Sequence, residues 1–205
     1  YQATHAVHSC FVLHRGHIFC ACEDIGRHNA LDKAVGSVML AGVPLHECIL
    51  YTSGRVPVDM VRKAIRAAVI GGLPTVAECG GFLYLHTSLT DREGHSCLMA
   101  GVLPEKCFDT GSLVRFGYIE LEENSEYFLP RGSRIRAHEF HYYDSDNNGE
   151  SCVAVKPVSG TSWTCIHEDD RNWWGYPHLY YPSNPAFVEH FVQAARLYHR
   201  ERNAK

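Results

Sequence analysis

Residues 72–85 have the sequence GLPTVAECGGFLYL, and this stretch decides the fold of the second half of the chain. The run LPTVAE (73–78) is typical of a short buried strand, and the apolar residues after the glycines predict a helix. A strand that ends at a cysteine and turns at once into a helix exposes the thiol above the edge of the sheet. This pattern is the cysteine counterpart of a nucleophile elbow, and it makes Cys79 a candidate nucleophile.

The chemistry expected of Cys79 follows from its place in this turn. A helix N-terminus favours the thiolate form of cysteine, and Gly80 and Gly81 let backbone N–H groups approach a substrate oxyanion. A cysteine nucleophile needs a base, usually histidine. Of the fourteen histidines, His178 stands at an expected strand end just before the last helix. The alternatives are a small buried thiol in a strand–helix turn and a structural histidine.

The flanking sequence predicts an α/β protein with a mostly parallel sheet flanked by helices. A short apolar strand at 48–52, a helix at 58–70 and the strand at 73–78 follow one another directly, which is the order expected of parallel α/β units. Between residues 96 and 166, short apolar runs alternate with Gly, Pro, Asp and Asn clusters, which predict β-rich loops. Residues 9–22 predict a hairpin, residues 29–40 a helix, and Asn184-Pro185 the start of the last helix.

Composition excludes several classes of protein. The chain has 205 residues, 45% of them hydrophobic, and a formal net charge of −4, so it is neither a disordered tail nor a general polyanion binder. Neither a membrane-spanning apolar run nor a signal peptide is recognisable. The nine cysteines include no C-x-x-C pair, which favours reduced, mostly buried thiols in a cytoplasmic protein. We therefore expect no nucleic acid and no membrane as partners, and we expect the chain to be a piece of something longer.

Six blocks between residues 72 and 200 resemble the glutaminase part of the cobyrinic acid a,c-diamide synthase family. The resemblance implies a class I glutamine amidotransferase-like fold, with Cys79 as the nucleophile and His178 as its partner. Tyr180 stands where the family usually has a second histidine. The blocks are GLPTVAECGGFLYL (72–85), SLTDREG (88–94), MAGVLP (99–104), RFGYIELE (115–122), RGSRIRAHEFHYY (131–143) and YPHLYYPSNPAFVEHFVQAA (176–195).

This resemblance implies a glutaminase reaction in cobalamin biosynthesis. The Cys79 thiolate attacks the side-chain amide carbon of glutamine, N–H groups near Gly80 hold the oxyanion, and His178 protonates the leaving ammonia and then activates water. Because no carboxylate follows His178 at two residues, we expect a Cys-His dyad. Glu139 and His141 alternate onto one face if their run is a strand, and we expect them to make structural hydrogen bonds near the site. The alternative is a metal pair, and we assign no metal.

Cofactor needs follow from the same comparison. The glutaminase step requires none. ATP and Mg enter only through an ATP-using synthetase domain or subunit, because the chain contains no G-x-x-x-x-G-K-[ST] phosphate loop. We therefore expect the chain to be the glutaminase half of an ATP-dependent amidoligase, with glutamine and the synthetase as its partners.

The front of the chain resembles a second family, the formate dehydrogenase accessory sulfurtransferase. The matching blocks are ATHAVHS (3–9), EDIGRHNALDKAVG (23–36) and ILYTSGRVPVDMVRKAIRAA (49–68). That family moves sulfur from a cysteine desulfurase to the molybdopterin guanine dinucleotide cofactor of formate dehydrogenase. By resemblance, the residues around this cofactor are His5, Asp24, Arg27, His28 and Arg55. Local chemistry leaves two alternatives open, a phosphate clamp formed by Arg27 with a helix N-terminus or a capped helix start with a solvated salt pair.

Two partial segments are thus predicted, 1–70 and 71–205. Because only a few residues separate the helix at 58–70 from the strand at 73–78, we expect the two segments to share one continuous parallel sheet. In the sulfurtransferase family, a C-x-x-C loop that carries the sulfur lies upstream of the THA motif. Cys20-Ala21-Cys22 is not that loop. Three functions remain as alternatives: a glutamine amidotransferase module, an accessory or carrier module that binds the molybdenum cofactor and meets a cysteine desulfurase or formate dehydrogenase, and a truncated fusion with neither activity.

Overall fold

The computed structural model describes residues 7–53 and 58–203. They form two compact units, one made of the residues up to 63 with the last described residues of the chain, the other of residues 64–201. The unit boundary lies inside a helix, so the assignment of residues 1–70 and 71–205 to two segments stays a prediction. None of the described helices is both long enough and apolar enough to cross a membrane.

The front unit contains the predicted hairpin. Strands β1 (His8–His14) and β2 (His17–Asp24) are joined at Arg15 and Gly16, whose φ angles of 50° and 81° give the left-handed turn that tight hairpins use. Helix α1 (Arg27–Leu40) begins two residues earlier than expected. Strand β3 (Cys48–Thr52) pairs antiparallel with β1, and helix α2 (Val58–Ile70) follows.

The buried core of this unit lies between its sheet and α1. Cys10 and Val12 alternate on one face of β1, and the helix supplies residues at helical spacing. The buried set is Cys10, Val12, Ala30, Leu31, Ala34 and Val38. The front segment therefore buries its apolar face within itself.

The second unit begins with the predicted strand–cysteine–helix stretch. Strand β4 (Thr75–Glu78) ends at Cys79, and helix α3 (Gly80–Leu85) starts at the next residue. The elements that follow are β5 (Ser88–Thr90), β6 (Ser96–Leu98), β7 (Lys106–Asp109), β8 (Arg115–Glu123), β9 (Arg134–His141), β10 (Tyr143–Ser145), β11 (Cys152–Val155), β12 (Ser162–Cys165), β13 (His167–Glu168), β14 (Asn172–Gly175), β15 (His178–Leu179) and α4 (Ala186–Asn203).

These strands form three sheets. Their orders are β10-β7-β5-β6, β12-β11-β8-β9-β15 and β13-β14-β4. The parallel pairings of named strands are β4 with β14 and β5 with β7, and the other pairings are antiparallel. The fold therefore combines helices with mixed parallel and antiparallel sheets, and the expectation of a mostly parallel sheet is wrong. Four of the antiparallel pairs join strands that are consecutive in the chain, as short connections allow: β5 with β6, β8 with β9, β11 with β12 and β13 with β14.

The expected shared sheet is also not found among the described strands. Strand β3 pairs with β1 in the front unit, and β4 pairs with β14 in the second unit. The physical reason lies in the front core: because β1 packs its buried face on α1, β3 completes a local three-stranded sheet there.

The second unit packs around two apolar clusters. One lies between the β8-β9-β11 region and α4, with Ile119, Leu121, Trp173 and Phe187 at its centre. The other surrounds α3 and includes Phe82, Leu85, Trp174 and Tyr176. Trp173 and Trp174, consecutive residues of β14, therefore point to opposite clusters. The parallel pairing of β14 with β4 places the carboxyl ends of the two strands side by side.

Candidate active site

Cys79 occupies a strained backbone conformation between β4 and α3. Its φ and ψ are 48° and −107°, a region that non-glycine residues seldom adopt and that costs on the order of 1–3 kcal/mol. The Cys79 N–H donates to Gly175 O at 2.9 Å, and Cys79 O accepts from Leu83 N at 2.9 Å. The structure thus holds the cysteine in the elbow that the sequence predicts.

Gly80 and Gly81 do not form the sharp turn between β4 and α3. Neither Gly80 nor Gly81 has a positive φ, and a Cβ on Gly80 would meet nothing within 4 Å. The sharp turn is therefore carried by Cys79 itself. The N–H groups of Gly80 and Gly81 lie in the first turn of α3, where backbone donors lack an intrahelical acceptor.

The electrostatics of the thiol differ from the sequence expectation. Burial raises the pKa of Cys79, and the carboxylates of Glu139 and Glu78 raise it further, while the Gly80 N–H acts in the opposite direction. Helix α3 has only six residues, so its dipole is small. Cys79 therefore rests mainly as a thiol at neutral pH, and attack on a substrate requires a base that removes its proton.

His178 lies at the same sheet edge as Cys79. In the parallel register Gly175 is opposite Glu78, so the residues after both strand ends meet at one edge. The His178 side chain is 50% exposed, and its Nδ1 lies 3.8 Å from Glu78 Oε2. With Nδ1–H turned toward that carboxylate, Nε2 is left to accept a proton.

Glu78 is the functional candidate that sequence reasoning missed. Its Oε1 accepts from Tyr181 Oη at 2.6 Å and from Leu179 N at 3.4 Å. No carboxylate follows His178 at two residues, and the carboxylate beside His178 comes from Glu78, the residue before Cys79. The signal was present in the sequence, because alternate strand residues share a face and Glu78 ends an otherwise apolar strand.

A cavity adjoins His178 on the side of β8 and β9. It has a volume of about 560 Å³ and is lined on one side by His178, Leu179 and Tyr180, with Arg136 and Glu120 also in its wall. Tyr180 is 58% exposed. The tyrosine that replaces the family's second histidine therefore forms part of the wall beside His178.

Glu139 and His141 lie buried near the nucleophile, on one face of β9 as predicted. Their exposed fractions are 2% and 6%, and Glu139 Oε2 is 3.7 Å from His141 Nε2. The His141 ring stacks on Tyr176 with centroids 3.8 Å apart, and its Nδ1 donates to Tyr143 O at 2.7 Å. Glu139 Oε2, His141 Nε2 and Tyr176 Oη have no hydrogen-bond partner among the described residues. A role for Glu139 and His141 in supporting the Cys79 site stays a prediction.

The front-segment candidates lie partly in the described region. Asp24 accepts from Gly26 N at 2.9 Å and pairs with Lys33 Nζ at 2.6 Å; the Lys33 and Gly26 hydrogen bonds lower the pKa of Asp24 to about 2. His28 Nε2 is 3.0 Å from Asp59 Oδ2, and Arg27 is exposed at the start of α1. Asp24 and His28 thus serve the helix start. The remaining two, His5 and Arg55, lie outside the described residues, as does most of the SGR turn.

Two groups of side chains in the described region have a spacing that could hold a metal ion. One is the exposed loop set Asp91, Glu93 and His95; the other is the buried set Glu123, Cys152 and Glu168. All nine cysteines are free thiols, as expected, and Cys97 is the exposed one.

The site consists of a strained cysteine at a strand–helix elbow and, next to it in the chain, a carboxylate that lies 3.8 Å from a histidine at the start of β15. This set of groups is the one that cysteine nucleophiles use for acyl transfer. Residues 58–185 match the family model of the CobB/CobQ-like glutamine amidotransferase domain, and the chain belongs to that family. Residues 1–77 match the FdhD/NarQ family model.

Curated proteins similar to this chain are cobyrinate a,c-diamide synthases. The protein from Caldanaerobacter subterraneus subsp. tengcongensis is 37% identical over 116 residues, 54% of this chain and 26% of that protein. The Salmonella typhimurium protein is 30% identical over 152 residues, 72% of this chain and 33% of that protein. The Fusobacterium nucleatum protein is 31% identical over 157 residues, with 70% and 34% covered. The chain thus spans about a third or less of these relatives.

Proposed function

We propose that this chain is a cysteine-dependent glutaminase module that releases ammonia for the amidation of cobyrinic acid side chains in cobalamin biosynthesis. The observation that carries the proposal is the elbow conformation of Cys79 beside the His178–Glu78 pair. Family membership and the cobyrinate a,c-diamide synthase relatives support glutamine as the nitrogen donor. The class I amidotransferase-like fold is part of the proposal, supported by the β4–elbow–α3 unit and its parallel neighbour β14.

The proposed reaction begins with proton transfer. Because burial and two carboxylates raise the pKa of Cys79, His178 Nε2 removes the thiol proton as sulfur attacks the amide carbon of glutamine. The N–H groups of Gly80 and Gly81 stabilise the oxyanion. The tetrahedral intermediate then collapses, the C–N bond breaks, and His178 returns the proton to the departing ammonia.

The second half of the reaction releases glutamate. His178, again neutral, takes a proton from water, the hydroxide adds to the thioester carbon, and the Cys79 sulfur leaves as the thiol or thiolate. Glu78 keeps the imidazole oriented and stabilises its positive charge in both halves, as the carboxylate of a catalytic triad does. The ammonia then needs an acceptor, which in the proposal is a carboxylate activated with ATP and Mg on a synthetase domain or subunit.

Covalent labelling tests the proposal directly. Incubation of the purified chain with 6-diazo-5-oxo-L-norleucine, a glutamine-like electrophile, is expected to add one label at Cys79. Excess glutamine should slow the labelling, and ammonia release from glutamine should fall in step with it. Cys97, the exposed cysteine, serves as the internal control and should stay unmodified. Absence of both labelling and ammonia release would contradict the glutaminase proposal and favour the inactive-fusion alternative.

A second candidate function rests on the FdhD/NarQ match over residues 1–77. We propose as this alternative that the front unit binds the guanine dinucleotide part of a molybdopterin cofactor. Arg27 and the free first-turn N–H groups of α1 fit a phosphate, whereas Asp24 and His28 are engaged within the protein. The cofactor supplies the molybdenum–dithiolene chemistry. In this alternative a cysteine desulfurase or formate dehydrogenase is the partner.

Guanine nucleotide binding separates the two candidates. GDP is expected to bind the chain in calorimetric titrations, and Arg27→Ala should weaken that binding about tenfold, because a charge-assisted contact to phosphate is lost. Arg200→Ala, on α4, is a control that should leave it unchanged. Equal GDP affinity in wild type and Arg27→Ala would contradict the clamp.

A further inference from the structure

The cavity beside His178 lies across three neighbouring strands of one sheet. Tyr118 on β8 is opposite His138 on β9, and His138 is opposite His178 on β15. Side chains directly opposite each other on one face of an antiparallel pair are neighbours, so the three rings form one row across the sheet. All three line the cavity, and the ring centroids of Tyr118 and His138 are 5.3 Å apart.

A second row of side chains lies beside this row of rings, on the same face. Glu120 is opposite Arg136 in the register of β8 with β9, and Tyr180 N donates to Arg136 O at 2.8 Å. Each member of this row is two residues along the chain from a member of the first row, and alternate residues of a strand share a face. The residues between the two rows point to the opposite face and are buried: Ile119, Ala137 and Leu179.

The side chains of both rows are accessible to solvent. The exposed fractions of Tyr118 and Tyr180 are 79% and 58%. Those of the Arg136 and Glu120 side chains are 72% and 37%. The wall therefore offers several rings and one pair of opposite charges to a molecule that enters the cavity.

The charged pair in this wall has no hydrogen bond between its members. Arg136 Nε is 3.9 Å from Glu120 Oε1, and Arg134 Nη1 is 3.6 Å from Glu120 Oε2, both longer than a hydrogen bond. The pair thus presents a donor beside an acceptor, and its two charges offset each other. A primary amide has an acceptor oxygen beside a donor nitrogen, so it can bind both groups at once.

We infer that this cavity binds a flat aromatic ring that carries a primary amide group. The ring packs against Tyr118 and His138, as aromatic pairs do. The amide oxygen accepts from the Arg136 guanidinium and the amide N–H donates to the Glu120 carboxylate, in hydrogen bonds that the two charges strengthen. The volume of about 560 Å³ suits a small molecule. Only one consequence, that the ligand shields His178 from glutamine, rests on the proposed function.

Benzamide is the probe, because it is a flat ring with a primary amide. Saturable binding to the full chain is expected in a ligand-observed NMR titration. Cyclohexanecarboxamide, which keeps the amide but lacks the flat ring, should bind several-fold more weakly. Benzoate, which has no donor and meets the Glu120 carboxylate, should bind about tenfold more weakly. Equal binding of all three compounds would overturn the inference.

Two variants locate the binding. Tyr118→Ala removes an exposed ring and should weaken benzamide and benzoate alike, several-fold. Glu120→Gln removes the charged acceptor and adds a donor, so it should weaken benzamide binding and strengthen benzoate binding. The ratio of the two affinities should fall about tenfold, whereas a packing defect would weaken both ligands together.

Tyr127→Ala is the matched control, because Tyr127 is also an exposed tyrosine and does not line the cavity. It should bind benzamide as the wild type does. Each of these measurements reads binding rather than turnover, so failure of the glutaminase proposal would not change their outcome. Absence of saturable benzamide binding, or binding that neither Tyr118→Ala nor Glu120→Gln alters, would contradict an amide site in this cavity.

Discussion

Replacing Cys79 by alanine is expected to abolish ammonia release from glutamine, and replacing His178 by alanine is expected to lower it by roughly two to four orders of magnitude. Alanine at position 79 leaves no nucleophile, so no thioester forms. Removing His178 leaves the thiol in place but without a base, and burial together with Glu139 and Glu78 raises the pKa of Cys79, so little thiolate forms on its own. Steady-state kinetics with an enzyme-coupled ammonia assay provides the measurement.

The pH dependence of the His178 variant is the more specific result. Because its residual activity depends on thiolate that forms without help, the rate should rise with pH beyond neutrality, as a thiol with a raised pKa ionises. The wild-type rate should depend less on pH over the same range, because His178 removes the thiol proton there. Glu78→Gln should lower kcat with little change in KM, since Glu78 orients His178 and stabilises its charge from 3.8 Å.

Matched controls separate these effects from loss of structure. Cys97→Ala removes the exposed thiol, and His95→Ala removes an exposed histidine that pairs with Asp91; both should retain wild-type turnover. Turnover that survives in Cys79→Ala would rule out the proposed nucleophile. A His178→Ala variant with unchanged kcat and an unchanged pH profile would mean that another base acts on Cys79.

The local elements of this fold could be predicted because each has a signal of its own. Apolar runs bounded by turn residues gave the hairpin at β1 and β2, and the step from TVAE into CGGFLYL gave the elbow at Cys79. Sheet order could not be predicted in the same way. Strand β3 pairs with β1, which packs against α1 in the front core. This pairing joins residues far apart in the sequence, so no local sequence pattern predicts it.

The candidate site shows the same division. Cys79 and His178 carried sequence signals, and the parallel register of β4 with β14 explains why they share one sheet edge. Glu78 was missed because its approach to His178 runs across strands rather than along the chain. The raised pKa of the Cys79 thiol was missed because it comes from burial and from the Glu139 carboxylate, which is far from Cys79 in the sequence and is brought near it by the fold.

Replacing Glu168 by glutamine is expected to stabilise the protein above pH 5, by an increment that grows with pH. Burial and the neighbouring Glu123 carboxylate raise the pKa of Glu168 to about 8. The unfolded chain ionises this group near its ordinary value of 4.5. Between these two values the unfolded state releases a proton that the folded state keeps, so rising pH favours unfolding of the wild type.

The size and limits of this effect follow from the same site. The loss of wild-type stability caused by ionising buried Glu168 is absent below about pH 4, grows up to about pH 8 and is constant above it. Because Glu168 is only partly shielded from solvent, we expect the gain from Glu168→Gln to reach about 2 kcal/mol, less than the full pKa shift would give. Glutamine keeps the local contacts, since its oxygen can accept from Phe128 N and its amide can donate to Ser125 Oγ.

Urea unfolding curves between pH 4 and pH 9 measure the increment for Glu168→Gln against the wild type. Glu126→Gln, which neutralises an exposed carboxylate in the same region, is the control and should show little change at any pH. The Ser125 hydroxyl lies 2.6 Å from Glu123 and 3.1 Å from Glu168, so the two carboxyl groups are close together. Glu168→Gln therefore also removes the repulsion between the two carboxylates at high pH. A difference between variant and wild type that stays constant from pH 4 to pH 9 would contradict a raised Glu168 pKa, because a purely steric or hydrogen-bonding change carries no proton linkage.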